Sequence, residues 1–146
     1  MKRLTLAVAT LAALAAVAGY LASGGKASVP EASAAGYETQ SSGSMSDGDV
    51  VLELAPRGVE DGRLVVDFAM NTHSVRLSDF DLAKLSTLHL AGRDVKPSRV
   101  TPPAGHHAYG QMVFDTGEAV GDFTITVEGI PLEEKRVYAW KGTGGR

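Results

Sequence analysis

From residue 49 to residue 141, apolar residues recur at every second position, the period of strands that bury one face and leave the other in water. Val50, Leu52 and Leu54 share a face. After "PRGVEDGR", whose Asp61-Gly62 pair suits a turn needing positive φ, "LVVDFAM" sets Leu64, Val66, Phe68 and Met70 on one face. These two runs predict a hairpin. "STLHLAG" reads as a third strand, with Leu88 and Leu90 inward and His89 on the other side, and "DVKPSRV" as a fourth, made irregular by Pro97, which has no N–H for the ladder. "YGQMVFDTG", "DFTITVEGI" and "RVYAW" complete the set, and Tyr138 and Trp140, two residues apart, share a face. Between the second and third strands, "LSDFDLAKL" offers Ser78 as a cap with Asp81 three residues on, one helical turn. The pattern predicts an all-β fold: an immunoglobulin-like antiparallel β-sandwich of about seven strands with one short helical turn. A small open barrel is the alternative closure.

Ahead of this domain the period is lost. Met1, Lys2 and Arg3 precede an uncharged, alanine-rich stretch from Leu4 to Ala22, so residues 1–22 read as an export signal or membrane anchor. The stretch is just long enough to cross a hydrocarbon core of about 30 Å as a helix. "ASA" at Ala32 to Ala34 is a cleavage site set well beyond it, so removal and anchoring both stay open. Residues 23–48 are rich in Ser, Gly and Ala and read as a flexible linker, since so few large apolar groups cannot offset the entropy of ordering. The domain is placed at 49–141 and a disordered tail at 142–146.

The charge and the missing cysteines narrow the classes of function. A formal charge of -3 over 146 residues, becoming more negative if the basic leader is lost, does not suit nucleic acid or anionic lipid. Exported chains can carry disulfides, but with no cysteine this one must hold together by its core, and it cannot be a lipoprotein. The positive leader places the domain outside the cytoplasm, secreted or held at the membrane by its N-terminal segment.

Candidate chemistry rests on histidine. His73 stands in "MNTHSV" where the second strand leaves the sheet, and His106 and His107 stand in "TPPAGHHAYG" before the fifth. If those places adjoin, three imidazoles could present a copper or zinc site. Adjacent residues in an extended segment point to opposite faces, so the His106-His107 pair needs a turn between them to share one ion. The competing expectation is structural: one histidine of the pair bonds a backbone group near "NTHS" and pins the loop. Met70 and Met112 fall within strand alternation and read as core. Ser74 beside His73, with Asp79 or Asp81, supplies the residue types of a triad without an elbow or oxyanion device. Glu133 and Glu134, flanked by Lys135 and Arg136, read as a solvated hairpin loop, and "GTGGR" opens no helix and so is no phosphate loop.

The segments "NTHSVRLSDFDL", "GHHAYGQMVFD" and "FTITVEGIPLEEKRVYAW" resemble a group of small exported or membrane-anchored prokaryotic β-sandwich proteins of unassigned function, with NTHS, GHHxxG and closing RxxxW segments. The resemblance implies a sandwich and an extracytoplasmic role and carries no activity. The sequence thus leads to a non-enzymatic envelope module with a protein partner, the alternative being a metal-binding domain that uses the three histidines.

Overall fold

The computed structural model describes residues 36–117 and 120–142. The expected leader at 1–22, the first part of the linker and most of the tail lie outside them. Among the described residues no helix is long and apolar enough to cross a membrane.

Among the described residues nine strands form: β1 (Gln40–Ser42), β2 (Val51–Glu60), β3 (Arg63–Asn71), β4 (Ser86–Leu90), β5 (Arg93–Val95), β6 (Arg99–Val100), β7 (His107–Asp115), β8 (Phe123–Ile130) and β9 (Glu133–Trp140). They make two antiparallel sheets, ordered β1-β2-β3-β7-β6 and β5-β4-β8-β9. The inward residues of both sheets share one core. Leu52, Leu54, Leu64, Phe68, Met70, Met112 and Phe114 from the first sheet meet Leu88, Ile125, Val127, Tyr138 and Trp140 from the second. Each large apolar side chain fully buried there contributes about 1.5–3 kcal/mol.

Where the expected elements change, a local cause is visible. β2 runs straight through the expected turn to Glu60, because a bulge between Pro56 and Gly58 takes up one residue, and only Asp61 and Gly62, at φ 50 and 73, turn the chain. The irregular fourth strand is two: β5 belongs to one sheet and β6 to the other, and Pro97 sits where the chain changes sheets. Ser78 does not cap the helical turn. It lies in a 3-10 turn (Leu77–Asp79), and helix α1 (Leu82–Leu85) is capped by Asp81, whose side chain accepts from the Ala83 N–H.

The larger correction concerns the linker, because residues 37–48 are part of the domain. Tyr37 is buried in the core and β1 pairs with β2 in the register Gln40 to Leu54. From Tyr37 the chain runs beside the edge of β9, where the Trp140 indole donates to the Glu38 carbonyl at 2.7 Å. Gln40 Nε2 donates to the Ala139 carbonyl, and the Ala139 N–H donates back to Oε1. A carboxamide has the groups of a peptide unit, so one side chain stands in for a neighbouring strand. Composition alone hides this, since three or four well-placed contacts suffice to order a polar stretch.

The register fixes two ends of the sandwich. The chain enters near Tyr37, Phe123 and Trp140 and leaves at Gly142, whose N–H donates to Asp122. At the opposite end lie the start of β2, the end of β3, the start of β7 and the Pro131-Leu132 turn between β8 and β9.

Candidate functional site

The histidine-bearing segments meet at that far end. Asn71 lies opposite His107 in the β3–β7 ladder, the Thr72 N–H donates to the His106 carbonyl at 3.0 Å, and the Leu77 N–H donates to the Gly105 carbonyl at 3.3 Å. The expectation that "GHH" packs beside "NTHS" therefore holds, by different groups. No histidine side chain of the pair bonds backbone; instead His107 Nδ1 donates to Asn71 Oδ1 at 2.8 Å, and His106 contributes its carbonyl. Among the described residues no group of three or more His, Cys, Asp or Glu is placed to hold a metal, so His73, His106 and His107 are not gathered into one cluster. His107 already belongs to the extended β7 and turns its ring along the outer sheet face toward Asn71, while His106 lies in the bend before the strand.

The serine-histidine pairing dissolves for a similar reason. Ser74 Oγ accepts from the Gly48 N–H at 2.8 Å, which ties the β3 exit to the loop before β2. Thr72 Oγ1 donates to the Asp49 carbonyl at 2.7 Å and accepts from the Val75 N–H at 3.2 Å. These hydroxyls satisfy backbone groups that the sheet leaves behind. A hollow of about 370 Å³ beside Phe80, Leu82, Val100 and Pro103 is lined by none of the three histidines.

The side chain that organises this end is Arg136, expected in a solvated loop and found fully buried. Its Nη1 donates to the Val50 carbonyl at 2.6 Å and to Ser42 Oγ at 3.1 Å. Its Nη2 donates to Asp49 Oδ1 at 3.1 Å and to the Pro131 carbonyl at 3.3 Å. Tyr138 extends the network, with its hydroxyl against Ser42 Oγ and the Leu52 carbonyl. Gly43, at φ 79, makes room: a Cβ there would stand 2.0 Å from the Val50 carbonyl oxygen. Burial raises the pKa of Asp49, but hydrogen bonds from Val50 and Ser44, with the Arg136 charge, outweigh it and hold the carboxyl below its ordinary value. The sequence did carry a sign of this. Arg136 is two residues before Tyr138 and four before Trp140, on the inward face of the same strand.

His89, on the outer face of the second sheet, has both ring nitrogens engaged: Nδ1 with Asp94 Oδ1 at 2.6 Å and Nε2 with Thr126 Oγ1 at 2.9 Å. Carboxylate, imidazole and hydroxyl follow the order of a nucleophile relay. Thr126 is only 5% exposed, however, so its hydroxyl is closed to a substrate, and the arrangement pins β4 to β5 and β8. Comparison of the chain with family models, curated proteins and solved structures gives no match.

Proposed function

We propose that this protein is a non-enzymatic, exported β-sandwich that serves as an interaction or accessory module for a protein partner at the cell envelope. The observation that carries this reading is polarity: Tyr37 and Gly142 lie at one end of the sandwich, and the loops before β2 and β7 and between β8 and β9 lie at the other. With β1 set aside, the strand orders β2-β3-β7-β6 and β5-β4-β8-β9 follow the A-B-E-D and C-F-G arrangement of immunoglobulin-like domains with one added strand, which supports that finer reading of the fold. The basic, apolar leader supports export, with the domain either released or held at the membrane by residues 1–22.

The natural chain has no cysteine, so one cysteine at the exposed β2–β3 turn, Asp61→Cys, gives a clean probe. In cells whose cytoplasmic membrane is sealed and whose outer layers are opened, a membrane-impermeant maleimide should label it. Labelling only after lysis refutes export and the reading built on it.

A further inference from the structure

Leu132 occupies an unusual place. It follows Pro131 in the two-residue turn between β8 and β9, at φ 64, and its side chain is 75% exposed. Proline sets the first turn position, and the second requires the left-handed region, which glycine enters freely and a branched apolar side chain does not. Leucine there gains nothing from the core, since it faces water, and it strains the backbone. Such strain persists only where the surroundings enforce it. Arg136 contacts this turn: its Nη2 bonds both the Pro131 carbonyl and Asp49 Oδ1 and so joins the turn to the loop before β2. That loop carries Met45, at 36% another exposed large apolar side chain.

We infer that this rigid tip, Leu132 with Met45, is the docking element of the module, and that it inserts into an apolar socket on a protein partner whose rim is basic. The inference rests on the proposed interaction role. Charge chooses the occupant. Asp47 and Glu134 flank the two apolar side chains, while Glu133 lies 3.7 Å from Arg136 Nε and Lys135 pairs with Glu128 at 3.2 Å. An acidic border repels a second copy of the same tip and an anionic lipid surface, and it favours lysine or arginine across the interface. The tip also lies at the end opposite the chain's entry and exit, where a tethered domain can present it.

The test places a photo-crosslinking amino acid at Leu132 of the full chain in the cells that make it, with the same group at Val137, 59% exposed on the sheet face, as control. The expected result is one discrete protein adduct from position 132 and none from 137, mapped by mass spectrometry to an apolar pocket bordered by Lys or Arg. Asp47→Lys with Glu134→Lys should weaken that adduct about fivefold or more. With the crosslinker moved to Met45, Leu132→Gly should abolish the adduct while the melting temperature holds or rises, because glycine fits the turn. An adduct from Val137 alone overturns the tip and leaves the module reading standing. No adduct, a lipid adduct, a homodimer, or a yield indifferent to the charge reversal overturns the tip as well, whereas the maleimide result judges export separately.

Discussion

The same segment, residues 37–50, is fastened to β9 in two chemically different ways. Near the chain's entry the fastening is centred on rings: Tyr37 meets the Phe123 ring of β8 edge-on at 5.3 Å, Phe123 stacks on Trp140 at 5.2 Å, and neutral hydrogen bonds from Trp140 to Glu38 and between Gln40 and Ala139 accompany them. At the far end it is polar, with Arg136 bonded to Ser42, Asp49, Val50 and Pro131. Apolar contact is lost in proportion to the area removed. A buried ionic network fails by its orphans, since taking away one partner leaves the other desolvated and unpaired. The aromatic end thus supplies adhesion, and the polar end supplies a fixed geometry, which is what an exposed tip requires.

The most severe way to break this comparison removes both fastenings. A chain beginning at Asp49, the boundary that composition suggests, should show no cooperative thermal transition, while one beginning at Gly36 should melt as the full chain does. Two-state unfolding of the shorter chain would show that residues 37–48 merely rest on the sandwich.

Next come the single fastenings. Trp140→Ala should cost about 3–5 kcal/mol, as large aromatic truncations in cores do. Arg136→Ala should cost about 3–5 kcal/mol as well, for the different reason that Asp49 stays buried without its cation. The two are told apart by a second substitution: in urea titrations, Asp49→Asn should cost less in the Arg136→Ala background than in the natural chain, and the same amount in the Trp140→Ala background. Equal costs in all three would mean that Arg136 acts by packing alone.

Acid separates the ends without mutation. Asp49 has a folded pKa below its ordinary value, so its unfolded form binds protons more readily. The stability it contributes is therefore complete above the unfolded carboxyl value of about 3.9 and is lost as pH falls through the lowered folded value. Near-ultraviolet circular dichroism should follow the aromatic fastening as pH drops. Asp49→Asn should remove part of the acid-induced loss. An unchanged acid profile would place the lability in other carboxylates.

How far the sequence discloses these features depends on how locally each is encoded. Alternation is local, so Leu52, Phe68, Met112 and Trp140 fall on the inward face as the two-residue period requires, and the long strands follow from it. The same period marks Arg136 as inward, yet its charge argues for water, and only the arrival of Asp49 and two carbonyls from the far side of the sandwich reverses that argument. The contacts of β1 are longer in range still. Gln40 bonds a residue 99 positions away, and nothing in "YETQSSGS" announces it. The convergence of "NTHS" with "GHH" is legible because strand ends and turns bring them together, whereas the directions of three imidazoles depend on which residue first enters β7.

The smallest effect tests that last point. Asn71 and His107 face each other across β3 and β7 and share one hydrogen bond at 2.8 Å, while His73, two residues on, shares none with either. Neighbours in one hydrogen bond are coupled and separate residues are not. Asn71→Ala and His107→Ala should therefore be non-additive by about 0.5 kcal/mol, at the low end for a hydrogen bond because the pair is open to water. His73→Ala should add to either one within experimental error. A three-histidine metal centre makes the opposite demand: one equivalent of Zn(II) or Cu(II) would couple His73 to His107 and raise the melting temperature by binding the folded state. With the untagged domain from Gly36 onward, the expected calorimetric titration is featureless at micromolar metal. Stoichiometric binding abolished by His73→Ala would mean that the imidazoles reorient around the ion, and the Asn71 bond would then be the one that gives way.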